Sequence, residues 1–312
     1  MSMARSLPAT GMLAFEHVTK WYGPVAALTD VTFSVGCEVV GLVGKNGVGK
    51  STLMKLAVGL LQPSQGKVQV AGHAAHTRQA RTLVGFCPDF ETLYEDLTGA
   101  TFVSWMLRFH GFSPSAARAR AQAVLDQLGL GPHMHRAIRE YSKGMRQRVR
   151  LAQALAHEPQ FVLLDEPMTG LDPVARSQLS EIIRNLPSLG VGVLVSSHVL
   201  HELAAVVDRV VLVHQGRLLA DGKVAELRAS MPTQPHRLRI VVADARNLAT
   251  VLVGWPEVHS VVVQTDGLEV AIGGEGSFYA QLTRLAATWP QPIEAVAPLD
   301  DDLASVFGYL VG

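Results

Sequence analysis

Two hydrophobic periods alternate along the chain, and their alternation outlines a fold. Residues 12–35 read as two period-two strands around the turn signal Trp21-Tyr22-Gly23-Pro24. Glu38–Val43 is a short, largely apolar run, as expected of a buried strand, and Ser51 to Leu60 shifts to helical spacing. Lys67–Val70 and Leu83–Cys87 are again short strands. Thr98–Gly111, Pro114–Leu128 and Lys143–His157 carry the helical period, with Gly129-Leu130-Gly131-Pro132 as a break. Strands return at Phe161–Leu164, Val191–Ser196 and Arg209–Val213, with a helix from Pro173 to about Leu186. A helical block at about 90–158 thus interrupts an α/β core. That order predicts a largely parallel sheet with ligand at the strand C-terminal ends.

Residues 1–11 contain Pro8 and no apolar core, so they read as a disordered tail rather than a signal peptide. Met231-Pro232-Thr233-Gln234-Pro235 reads as a linker between a large domain, 12–230, and a small α+β domain, 236–312. In the small domain, strands are expected at Arg237–Val242, Val258–Val263, Leu268–Ile272 and Ile293–Ala297. Helices are expected at Ala245–Val253, Ser277–Thr288 and Leu299–Leu310. Strand–helix–strand–strand–helix–strand is the order of a ferredoxin-like fold.

Composition narrows the function. Charge balances at 27 basic against 27 acidic residues, so no basic excess argues for nucleic acid or for an anionic membrane surface. No apolar run approaches the ~18 residues of a membrane span, so the chain is expected in the cytosol unless a partner holds it at a membrane. Cys37 and Cys87 lie far apart in apolar, strand-like runs and read as buried free thiols.

Residues 44–52, Gly44-Lys45-Asn46-Gly47-Val48-Gly49-Lys50-Ser51-Thr52, satisfy the phosphate-loop pattern between a strand and a helix. The glycines let backbone N–H groups curl around an anion, and the helix N-terminus adds partial positive charge. Lys50 would reach the β- and γ-phosphates, and Ser51 would ligate Mg²⁺. Phe161–Leu164 then leads into Asp165 and Glu166, two carboxylates at a strand end. Asp165 would hold Mg²⁺, and Glu166 would orient the attacking water. The competing reading is an Asp-Glu helix cap before Pro167, which the buried apolar lead-in disfavours. His198 ends another strand, where it could meet the γ-phosphate or the water, or be merely structural; His201 reads as a solvated helix residue. Ser142 reads as the N-cap of a long helix opened by Lys143 and Gly144.

Together these segments resemble the ATP-binding subunits of ABC transporters over roughly residues 12–230. The phosphate loop, Leu163 to Pro167, and Thr169-Gly170-Leu171-Asp172 match the family's Walker A, Walker B and D-loop. His198 falls at the switch histidine, and Tyr22 at the aromatic that stacks on adenine. Tyr141 to Met145 occupies the signature segment, with Lys143 and Met145 in place of the usual Gly and Gln. Asp89, in Cys87-Pro88-Asp89-Phe90, falls at the Q-loop position, where it could still bind Mg²⁺ or water; Met168 replaces a common Thr. These variants, with Tyr94-Glu95-Asp96-Leu97-Thr98 and the C-terminal appendage, look like the type-2 exporter branch, which includes drug and antibiotic exporters and some factors for copper-enzyme maturation. The resemblance implies a P-loop NTPase core with an antiparallel β subdomain and an inserted, membrane-facing helical subdomain. It also implies ATP and Mg²⁺ as ligands and a signature helix that completes the site of a second copy, hence a homodimer or a pair with a similar subunit. A separate transmembrane permease would do the transport. The alternative within the same resemblance is a soluble ABC ATPase acting on nucleic acid or ribosomes; such proteins carry coiled-coil inserts or tandem nucleotide domains, which are lacking here.

Overall fold

The strands and helices follow the hydrophobic periods closely. The computed structural model describes residues 12–89, 93–207, 209–230, 235–273, 275–300 and 302–311. The expected tail 1–11, Phe90 and the linker residues 231–234 lie outside them.

Strands β1 (Leu13–Tyr22) and β2 (Val25–Val35) form an antiparallel hairpin in which Phe15 stacks on Phe33 at 4.6 Å. Next come β3 (Val39–Val43), α1 (Lys50–Ala57), β4 (Gln65–Val70), β5 (His73–Ala74), α2 (Arg78–Thr82) and β6 (Val84–Cys87). The helical block is α3 (Gly99–Phe109), α4 (Pro114–Gln127) and α5 (Lys143–Leu155). Each starts behind a hydroxyl cap, Thr98, Ser113 or Ser142, that accepts a bond from a first-turn N–H. After it come β7 (Phe161–Asp165), α6 (Pro173–Asn185), β8 (Gly192–Ser197), α7 (Leu200–Ala204), β9 (Arg209–His214), β10 (Arg217–Lys223) and α8 (Val224–Ala229).

Two sheets form. One runs β2-β1-β4-β5 and is antiparallel; the other runs β10-β9-β3-β8-β7-β6, with parallel pairing from β9 through β6. Phe161, Val162, Leu163 and Leu164 are completely buried. A central parallel strand is covered on both faces, so it needs an unbroken apolar run, and each such side chain contributes about 1.5–3 kcal/mol. The sheet's carboxyl edge gathers the ends of β3, β6, β7 and β8, and the loops that follow them carry the candidate chemistry.

The chain divides into two units, one through Asp221 and one from Gly222. The second holds α8, β11 (His236–Val242), α9 (Ala245–Leu252), β12 (Val258–Gln264), β13 (Gly267–Ile272), α10 (Glu275–Ala286), β14 (Ile293–Pro298) and α11 (Leu303–Val311). Its antiparallel sheet runs β12-β13-β11-β14. Alternate residues Leu238, Ile240, Val242, Leu268, Val270 and Ile272 pack with Leu248, Leu252, Phe278 and Leu282 of the helices.

Two expectations need correction. Cys37 is exposed: it lies in the turn between β2 and β3, its thiol on the Pro187 carbonyl, while Cys87 is buried as expected. The last helix begins at Leu303, not Leu299, because the Leu299 N–H bonds Arg237 O, and Asp300 is drawn into a buried ion pair with Arg228 at 2.7 Å.

Candidate active site

The phosphate loop depends on its glycines. Gly49 adopts φ +114°, and a Cβ there would lie 2.7 Å from Leu28 Cδ2 and 2.9 Å from Ala27 O. Gly49 caps α1 without any side chain, leaving the helix's first N–H groups without a side-chain acceptor. Lys50 folds back over the loop, donating to Gly44 O at 2.6 Å and Lys45 O at 3.4 Å. Burial lowers the pKa of its ammonium, while Glu166 and Asp165 oppose the shift. Val48 ties the loop to the core through its carbonyl, which accepts from Gly216 N at 3.2 Å.

The carboxylates lie opposite. Asp165 ends β7, buried, with Ser196 donating to its Oδ1 at 2.5 Å; the same hydroxyl accepts from Glu166 N at 3.0 Å. Burial pushes the Asp165 carboxyl up; Asp89 and Glu166 add to the rise, and the Ser196 bond and Lys50 oppose it. Glu166 stands at φ +49°, a left-handed conformation that costs a non-glycine residue about 1–3 kcal/mol. Its Oε2 lies 2.8 Å from His198 Nδ1 and accepts from Thr169 Oγ1 at 3.3 Å.

One cleft of about 220 Å³ brings much of this together. Ala27, Asn46, Gly47, Gly49, Lys50, Ser51, Thr52, Asp89, Asp165 and Glu166 line it. None of Ser142, Lys143, Gly144 or Met145 does. Ser142 Oγ instead caps α5 by accepting from Met145 N at 3.2 Å. Gly144 lets α5 approach α6: a Cβ there would lie 3.0 Å from Ala175 Cβ. Asp172 caps α6, accepting from Ala175 N at 2.8 Å. Tyr22 is about half exposed at the end of β1, in the same hairpin as Ala27 and Leu28, with Lys20 Nζ 5.6 Å from its ring. Met168 is buried against Ser180.

Sequence reasoning passed over Ser196, Thr169 and Ala27 as individual contributors. Serine and threonine are common at strand ends and turns, and no local spacing distinguishes Ser196 from Ser197. Only the register of β7 against β8, Asp165 beside Ser196, identifies which hydroxyl meets the acids.

Mg²⁺ fits this chemistry as a shared ligand. Among the described residues no group of three or more His, Cys, Asp or Glu forms a metal cage. A hard cation held by one or two protein oxygens, with phosphate and water completing its shell, needs no such cage. Burial is the main cause of the raised Asp165 pKa, and the nearby Asp89 and Glu166 add negative charge that a divalent cation would relieve.

Comparison with known proteins agrees with this geometry. The family profile described as ABC transporter matches residues 28–169, and one described as an AAA domain matches 135–204. An ABC transporter ATP-binding protein of Nostoc is 39% identical over 63% of this chain; the chain spans only 59% of that relative's length. The daunorubicin/doxorubicin resistance ATP-binding protein DrrA of Streptomyces peucetius is 34% identical, with 76% of this chain and 73% of DrrA covered. A solved structure described as the ATP-binding subunit of an ABC transporter superposes with a TM-score of 0.64 at 31% identity, covering 70% of this chain and 93% of that one. A phosphate loop facing a strand-end acid pair, shared with relatives at this identity and coverage, makes the chain a member of the ATP-binding, ATP-hydrolysing subunits of ABC transporters.

Proposed function

We propose that two copies of this chain, or one copy and a similar subunit, close on ATP and drive a separate membrane permease that exports a small hydrophobic molecule or drug. The observation that carries the hydrolytic part is the convergence of His198 and Thr169 on one Glu166 oxygen, beside Asp165 and across the cleft from Lys50. Glu166 is the general base or water-orienting group, and His198 holds its carboxylate and reaches toward the γ-phosphate. Gly44, Lys45, Asn46, Gly47, Val48, Gly49, Lys50, Ser51 and Thr52 bind the phosphates, and Tyr22 stacks on adenine. Ser51, Asp165 and Asp89 hold Mg²⁺, which when bound neutralises charge on the transferred phosphoryl group.

The cleft wall lacks the signature residues Ser142 to Met145, which supports a site completed from another copy. There Ser142, Lys143, Gly144 and Met145 present the N-terminus of α5, and its dipole, to the γ-phosphate. Closure then follows ATP because those contacts exist only in the closed state. Asp172 lines the contact between copies. In this reading the pore belongs to another chain, which holds this one at the inner membrane face; no helix among the described residues is long and apolar enough to cross a membrane. The relationship to DrrA, named for daunorubicin/doxorubicin resistance, supports export over a role on nucleic acid or ribosomes.

The domains are read as 12–230 for the nucleotide domain, with the helical subdomain at about 90–158, and 236–312 for a ferredoxin-like accessory domain that supports the dimer. The strand order β12-β13-β11-β14 supports the latter reading.

Glu166→Gln tests the proposal. The variant is expected to bind ATP, to lose turnover by about 10²-fold or more, and to run as a stable dimer with ATP in size-exclusion chromatography. A variant that stays monomeric with ATP and keeps normal turnover would sink the assignment.

A further inference from the structure

Two segments reach Glu166 from opposite sides: the loop Thr169–Asp172, through Thr169, and the end of β8, through His198. The same two segments meet a second time, away from the cleft. Arg176, in the first turn of α6, donates through Nη2 to Leu171 O at 3.2 Å and pairs with Glu202 Oε1 of α7 at 3.1 Å. α7 opens two residues after His198, and it is pinned beside β8 by the completely buried Leu203. The contacts therefore close a ring: Glu166, Thr169, Leu171, Arg176, Glu202, and back through α7 to His198.

The chemistry of the outer pair argues against a simple role in stability. The Glu202 side chain is only 5% exposed. Arg176 Nε and Glu202 Oε2 are both buried and find no hydrogen-bond partner among the described residues. Arg176 keeps 32% of its side chain exposed, so the desolvated charge is that of Glu202, and its pairing repays the loss of water only when its acceptors are matched. This pair is incompletely matched. Replacing it with apolar side chains would be expected to cost the fold little, whereas its directionality fixes where α7 stands relative to the Thr169–Asp172 loop.

We infer that Arg176 and Glu202 are positioning residues for hydrolysis, holding His198 and the Thr169–Asp172 loop in register on the Glu166 carboxylate. The inference rests on the reading of Glu166 and His198 as the hydrolytic pair. Hydrolysis is sensitive to small displacements of such groups, while ATP binding depends mainly on the phosphate loop, to which neither Arg176 nor Glu202 makes a hydrogen bond among the described residues.

The test uses the full chain, with ATP turnover, ATP affinity and thermal unfolding measured for Glu202→Gln, Arg176→Lys and Thr169→Val. Glu202→Gln and Arg176→Lys are expected to lower kcat by about tenfold with KM for ATP within about twofold of the parent. Combined with Thr169→Val, Glu202→Gln is expected to lower kcat by no more than about twofold beyond the worse single variant, because both act on one carboxylate. Arg176→Lys keeps the positive charge beside Glu202 and answers the question if Glu202→Gln folds poorly. Unchanged kcat per folded molecule, an effect confined to KM, or full multiplicativity with Thr169→Val would each overturn the inference. If His198→Ala and Glu166→Gln keep parental turnover, it is the underlying reading that fails, and the two failures are distinguishable.

Discussion

Asp165 shows how a single residue bears an electrostatic cost in the fold. Burial and the neighbouring carboxylates raise its pKa in the fold above the ordinary 3.8. The folded state therefore holds that proton more tightly than the unfolded state, so the group's contribution to stability is greatest below pH 3.8. It is lost as pH rises from 3.8 through the raised folded value. At neutral pH the charge is a liability that a bound cation would offset. Asp165→Asn is accordingly expected to raise the melting temperature of the nucleotide-free protein at pH 7 by a few degrees, with the gain vanishing toward pH 3, while Mg²⁺-dependent ATP turnover collapses. Calorimetry across pH, paired with turnover, checks both. Lys50, Ser51, Asp165 and Glu166, which the fold brings to one cleft, stood out in the sequence because each sits in a short segment with a characteristic local spacing. Ser196 did not, because its two partners lie about thirty residues away, at the end of β7 and just after it, and its neighbour Ser197 is the same residue type.

At the scale of elements, α5 runs from the Ser142 cap to the start of the parallel sheet's edge strand. Its C-terminal end is followed by His157, whose Nε2 lies 3.0 Å from Val84 O at the start of β6. His157 stacks on His110, just past α3, at 4.0 Å. Burial, with His110 adding to the effect and the Val84 bond opposing it, lowers the His157 pKa to about 4. A histidine kept neutral by the fold contributes stability that is fully present above about pH 6.5. That stability is lost as pH falls from there toward 4, by up to about 3 kcal/mol at pH 4. His157→Gln is expected to flatten this acid limb, seen as a smaller drop in denaturation midpoint between pH 7 and pH 4.5. Element boundaries were largely readable because caps such as Ser142 and Asp172 act on N–H groups only three residues away. Cys37 and the start of α11 were misread because their environments come from Pro187, Arg237 and Arg228, all remote in sequence.

Within the second unit, the whole-chain consequence of a remote contact is clearest at Asp300. It pairs with Arg228 in an almost fully buried bridge, accepts from Tyr309 Oη at 2.8 Å and from Arg237 N at 3.1 Å, and so ties α8, β11 and α11 together. The Arg228 guanidinium lies 5.1 Å from the Tyr309 ring centroid, and its Nε and Nη1 find no other hydrogen-bond partner among the described residues. Removing one partner of such a pair strands the other charge, a loss of about 3–5 kcal/mol. Asp300→Ala is expected to destabilise the second unit by that amount, read as accelerated hydrogen exchange across β11, β13 and β14.

The sequence alone determined what depends on neighbours along the chain: the alternation of strand and helix, the inserted helical block, the phosphate loop, the acid-ended strand and the capped signature helix. Sterics, helical hydrogen bonds and side-chain caps act over a few residues, so these features are written in local spacing. Tertiary structure decided which of those pieces meet. The parallel register of β7 against β8 chose Ser196 for Asp165 and Glu166. The packing of α6 beside α7 closed the Arg176–Glu202 bridge, and the cleft took in Asp89 and left out Ser142. Those outcomes follow from burying many apolar residues at once, a condition no single segment contains.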